Sequence, residues 1–169
     1  AVLEQAVPNI LGSAFGNAGQ RCLAGPLVIA VGKAYEPLKA QLIASASQLR
    51  VGDGMDESVQ VGPVVSSKAR ERILSAIEQG LVEGAELLLD GRGVQVEGFP
   101  NGYFVGPTLF DRVSPDMTLA REEIFGPVLT IHCYNDNAFD ETLRLCDETS
   151  PYALTGAVFA RDRRVIQKV

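Results

Sequence analysis

Residues 16–31 read GNAGQRCLAGPLVIAV, and the passage from loop to apolar run within them decides the fold. Leu27, Val28, Ile29, Ala30 and Val31 form an unbroken apolar stretch behind Gly25-Pro26. Such a run reads as a strand in a sheet covered on both faces. Upstream, Leu3, Val7, Ile10 and Ala14 recur at helical steps, which predicts a helix over residues 2–15. Pro8 lacks a backbone donor, so a kink or a helix start is expected near it. Downstream, Tyr35, Leu38, Leu42 and Leu49 mark a second helix. Ser66 or Ser67 can cap a third, with Ala69, Ile73, Ala76 and Ile77 as its apolar stripe.

Further along, residues 85–89 and 128–134 are strand candidates. Residues 103–110 are extended but interrupted by Gly106-Pro107, which suits a hairpin arm better than a central strand. Asn137, with Asp140 three residues on, mimics a capping box before a helix whose inner face is Phe139, Leu143 and Cys146. Residues 155–160 read as a last strand, and a helix begins after Arg161. This alternation predicts an α/β domain, three layers deep, with a largely parallel sheet.

The chain has 169 residues, enough for one domain with a real core. A net charge of −6 opposes binding to phosphate backbones, so no nucleic-acid partner is expected. No apolar run reaches the length of a membrane span, and the first residues do not read as a secretion signal. The three cysteines, Cys22, Cys133 and Cys146, are odd in number and far apart, which argues against a disulfide framework and for a reducing, cytoplasmic setting. One histidine and no C-x-x-C pair give no support for a metal site.

Two constellations could carry chemistry. On the cysteine alone, Cys22 is a small buried hydrophobe. Against this, Gly16, Gly19 and Gly25 permit close backbone approach, the loop joins a helix to a strand, and Arg21 stands beside the thiol. Arg21 is either a solvated charge or a two-pronged grip on a substrate carboxylate. The second constellation is residues 121–127, REEIFGP. It is either a solvated helical end stopped by Gly-Pro or a carboxylate beside an aromatic that packs on a planar ring. His132 sits inside VLTIHCY and reads as a locally bonded strand residue rather than a base for Cys22. Cys133 and Cys146 fall on apolar elements and read as core.

GNAGQRCLAG and EEIFGPVL together, with GYFVGPT at residues 102–108 and Gly62-Pro63 in the same order, resemble the aldehyde dehydrogenase superfamily over essentially the whole chain. The resemblance implies that Cys22 is the nucleophile, that Glu123 holds the nicotinamide ribose of NAD, and that Phe125 is the aromatic beside it. It also implies that the Cys22 N–H is half of an oxyanion hole. Through residue 133 the text is most similar to methylmalonate-semialdehyde dehydrogenases. Those use an arginine before the cysteine, here Arg21, and release the acyl group to coenzyme A. The remainder looks more like pyrroline-5-carboxylate dehydrogenases, as in a mixed relative or a chimera.

The family's cofactor domain would precede this region and its oligomerisation strand would follow it. The expectation is therefore a trimmed catalytic domain of an NAD-dependent semialdehyde dehydrogenase, in the cytoplasm or a mitochondrial matrix. The parent would be a homo-oligomer taking a small aldehyde. The separate chain is expected to be inactive and to bind NAD weakly. The alternative is a non-catalytic folded domain, excised or recombined, that self-associates. A stand-alone thiol hydrolase lacks a credible base.

Overall fold

The structure, a computed structural model, describes residues 2–151 and 154–169. In chain order the elements are α1 (Leu3–Phe15), β1 (Leu27–Val31), α2 (Tyr35–Ala46), α3 (Ser67–Val82), β2 (Glu86–Leu89), β3 (Thr108–Asp111), α4 (Thr118–Arg121), β4 (Val128–Tyr134), α5 (Phe139–Glu148) and α6 (Arg163–Lys168). The four strands form one sheet in the order β1-β4-β3-β2. β1 runs parallel to β4, and β4 parallel to β3, while β2 pairs antiparallel with β3. The α/β class and the largely parallel sheet are as the sequence predicts.

Parallel strands are all entered from one edge of the sheet. The loops leading into β1, β3 and β4 therefore arrive side by side, although the chain places them far apart. α1 and α2 pack on each other, and both reach the sheet. The core runs through Phe15, Leu42, Ile73, Ile77, Leu109, Phe110 and Leu129, all essentially inaccessible. α3 starts where serine predicts: Ser66 Oγ accepts from the Ala69 N–H at 3.2 Å. Ser66→Ala is expected to cost about 1 kcal/mol, read as a shift in the urea midpoint at unchanged slope.

Several local expectations are corrected. α1 runs through Pro8 without restarting there. β1 is an edge strand, buried only at alternate residues, rather than covered on both faces. β3 lies inside the sheet and all four of its residues are buried. Pro107 sits just outside it, so its missing N–H removes no ladder bond. The hairpin-like part of that reading survives in the antiparallel pairing with β2. α5 starts at Phe139 with Ala138 as its cap residue, and no side chain caps it. Residues 155–160 form no strand. Cys133 and Cys146 are exposed rather than core, because the last residues of β4 and most of α5 emerge from the packed layers.

Candidate active site

The cysteine loop begins where α1 ends. Asn17, Ala18 and Gly19 take φ values of 56, 53 and 67°, a left-handed turn that reverses the chain. Gly19 is the position that must be glycine: a Cβ there would stand 2.1 Å from the Gly126 carbonyl oxygen. The cysteine loop and the Gly126-Pro127 turn thus touch backbone to backbone. Ala24 N–H then bonds to Arg21 O at 2.9 Å, closing a turn that carries Cys22 at its tip. Gly25 N–H donates to Ser13 Oγ at 2.9 Å and ties the loop back to α1.

Cys22 is exposed, and among the described residues no acceptor takes its N–H. Arg21 is also exposed. Its guanidinium donates to the carbonyls of Gly12 and Ser13 at 3.2 and 3.4 Å, at the end of α1. Glu123 is exposed, and Phe125 is half-buried with φ 51°. Two side chains meet at the Phe125 carbonyl. Gln20 Nε2 and Arg72 Nη2 each donate to it at 3.4 Å. Arg72, on α3, donates through Nη1 to the Ile124 carbonyl as well.

The other two motifs close the arrangement. Val65 N–H donates to Gln20 Oε1 at 2.8 Å, and Val64 N–H to Tyr103 O at 2.9 Å. Thr108 N–H bonds to Pro127 O at 2.9 Å. The segments around Cys22, Gly62-Pro63, residues 102–108 and residues 122–127 therefore converge at the entry edge of the parallel strands. α4 is held to the end of α3 by Glu83, whose carboxylate accepts from the Thr118 N–H and hydroxyl at 2.8 and 2.5 Å. Those bonds, the hydroxyl's first, keep the Glu83 carboxyl below its usual range.

His132 spends Nδ1 on the Val113 carbonyl at 2.9 Å, which fits the strand-residue reading. Two clefts flank α1. One, of about 350 Å³, follows α1 through Val7, Leu11 and Phe15. The other, of about 500 Å³, lies between α1 and the β1 edge. Cys22 lines neither. Among the described residues no acidic, cysteine or histidine cluster could hold a metal, and no helix is long and apolar enough to cross a membrane. Sequence reasoning passed over Gln20 and Arg72. Gln20 stood in the quoted motif, but nothing in the chain before it announces partners at residues 65 and 125.

The comparisons with known proteins agree with one another. Malonate-semialdehyde dehydrogenase 2 of Geobacillus kaustophilus is 42% identical over 171 residues, covering 99% of this chain. Methylmalonate-semialdehyde dehydrogenase from Oceanimonas doudoroffii superposes with a TM-score of 0.93 at 34% identity over 99% of this chain. A 1-pyrroline-5-carboxylate dehydrogenase from Thermus with bound NAD gives 0.88 at 37% identity, again over 99%. The chain spans 34, 34 and 31% of those three proteins. Similarity to the first two runs through the region after residue 133, and both relatives named in the sequence reading recur. The Aldehyde dehydrogenase family matches residues 1–169, and the chain belongs to it.

Proposed function

We propose that this chain carries the thiol-bearing part of an NAD-dependent semialdehyde dehydrogenase, with Cys22 as nucleophile. One observation carries the reading. The loop that carries an exposed cysteine with an unspent N–H is held against the Phe125-Gly126 turn through the Gly19–Gly126 backbone contact and through Gln20. Cys22 Sγ attacks the aldehyde carbon and forms a C–S bond while the C=O π bond opens onto oxygen, which takes up the proton the thiol gives up, giving a thiohemiacetal. The Cys22 N–H, which has no acceptor among the described residues, would donate to the oxygen on which charge develops. Bound NAD would supply the acceptor for the hydride on this carbon, with Glu123 and Phe125 holding it. The acyl group then stays on Cys22 as a thioester until water or coenzyme A accepts it.

The donor set suits such a cofactor. Glu123 is an exposed carboxylate able to accept from ribose hydroxyls, and Phe125 offers a ring on the same turn. Arg21 would grip the substrate carboxylate. To do so it gives up two long, exposed bonds to carbonyls, each worth only about 1 kcal/mol, for a charge-assisted bidentate pair. The remaining two-thirds of the relatives' length is where a cofactor domain and the other oxyanion donor would lie.

The test uses the chain itself. p-Nitrophenyl acetate is expected to acetylate Cys22: an S–C bond forms, the ester C–O bond breaks, p-nitrophenolate leaves, and water takes the thiol proton. Desolvation pushes the Cys133 and Cys146 thiols up although both are exposed, which lowers their thiolate share, and the nucleophile reading expects Cys22 to be acetylated fastest of the three. A carboxylate-bearing acyl ester should add a gain that Arg21→Ala removes. Equal acetylation of the three cysteines, or a fast phase that survives Cys22→Ser, would sink the reading. It would favour a non-catalytic, self-associating domain, for which exposed Leu154, Phe159 and Ile166 offer apolar surface.

A further inference from the structure

Gln20 has no step in the reaction proposed above, yet its side chain joins two distant loops. Oε1 accepts from Val65 N–H at 2.8 Å, 45 residues away, and Nε2 donates to Phe125 O at 3.4 Å, 105 residues away. Its own backbone is fixed at both ends. Gln20 N–H donates to Asn17 O at 3.0 Å, and Asn17 Nδ2 donates to Gln20 O at 3.0 Å. The side chain is half-buried and stands two residues before the thiol. A carboxamide suits this place because it accepts and donates at once, which a carboxylate or a thioether cannot do.

The short bond to Val65 is the anchor and the long one to Phe125 is the reach. The same Phe125 carbonyl receives Arg72 from α3 at 3.4 Å. Phe125 is a bulky residue at φ 51°, a conformation that persists only where surroundings over-determine it. Gln20 and Arg72 supply that constraint from opposite elements, one from the cysteine loop and one from a helix. Beside the Gly19–Gly126 backbone contact, the Gln20 amide is the side-chain link between the cysteine loop and the Phe125 turn.

Resting on the reading of Cys22 as nucleophile and the 123–125 turn as the cofactor side, we infer that Gln20 is a positioning residue. It locks the cysteine turn to the Phe125 turn, so that thiol and cofactor face keep one separation. Its action is through these loops and not on the substrate.

Two variants separate its two bonds. Gln20→Glu keeps the acceptor for Val65 and loses the donor to Phe125, and Gln20→Met loses both. In Gln20→Met the Val65 amide should exchange faster and the Gly126 amide resonance should move. In Gln20→Glu only the Gly126 resonance should move. In both, acetylation of Cys22 should fall about tenfold, with Cys133 and Cys146 reacting as before. Loss of rate at all three cysteines would mean general loosening and would overturn the inference. So would unchanged Cys22 reactivity in Gln20→Met, where the wild-type chain does favour Cys22. If the wild-type chain shows no preference for Cys22, the nucleophile reading falls by itself. Gln20 as a lock is then decided by the amides: a still Gly126 resonance in Gln20→Met overturns it, and a moved one upholds it.

Discussion

Asp111→Ala is expected to lower stability by about 3 kcal/mol, because it breaks a buried ion pair from one side. Asp111 ends β3 and is 1% exposed. Its carboxylate accepts from the Tyr35 hydroxyl, from Lys39 Nζ at 3.2 Å and from the Arg112 N–H at 2.8 Å. The Lys39 ammonium also donates to the Tyr35 hydroxyl at 2.9 Å, so α2 and β3 share one polar knot. Burial alone would push the Asp111 carboxyl up. The bonds from Tyr35, the Arg112 amide and Lys39 overcome it and hold the carboxyl below the usual range. Lys39 is raised, chiefly by its bond to Tyr35.

The sign follows. A carboxyl lowered in the folded state adds stability above its unfolded pKa, about 3.9, and loses it as pH falls through the folded value. Thermal melts should show the variant falling by about 2–4 °C per kcal/mol at neutral pH. The gap between wild type and Asp111→Asn should narrow below about pH 4. A gap that stays constant down to strong acid would show that the knot contributes no linked proton. Other carboxyls, Glu83 among them, are lowered too, so only the difference between the two proteins isolates Asp111.

Gly19→Ala is the second large effect, about 3 kcal/mol from overpacking and left-handed strain together. The dihedral is the smaller part, since Ala18 next door already holds φ 53°. Close approach decides the outcome. The Gly126 oxygen, 2.1 Å from the added Cβ, accepts from the Val128 N–H at 2.8 Å and cannot retreat without disturbing the start of β4. The cysteine loop must lift instead, and Gln20 then leaves Phe125. The expected result is a lower melting temperature together with lost selectivity for Cys22 acetylation. Gly54→Ala, where nothing lies within 4 Å, should change neither. A Gly19→Ala chain that melts and reacts as wild type would remove the backbone contact from the account.

Much of the site was legible because its motifs are local. The turn glycines, the cysteine, the Glu-Glu-Ile-Phe-Gly-Pro run and the Ser66 cap each announce themselves within a few residues. What was illegible depends on partners elsewhere in the chain. β3 was underrated because Gly106-Pro107 looked like an interruption, whereas the strand starts one residue later. Cys133 and Cys146 were assigned to the core from apolar neighbours, but the last residues of β4 and most of α5 emerge from the packed layers. Residues 155–160 have strand composition but pair with no strand among the described residues, and composition supplies no partner. The Asp111 knot joins residues 72 and 76 positions apart, beyond any local pattern.

The strand register has a consequence in time. Leu27 faces Thr130 and Val31 faces Tyr134, so β1 finds its neighbour only in a strand that lies far along the chain. Loop closure over such separations is slow, and contacts of this kind form late. On a ribosome, the LVIAV segment emerges about a hundred residues ahead of its partner. An apolar strand waiting that long with a bare edge is open to aggregation. The loop that carries the proposed nucleophile feeds directly into that strand, so the placement of Cys22 should be among the last features this chain acquires as it folds.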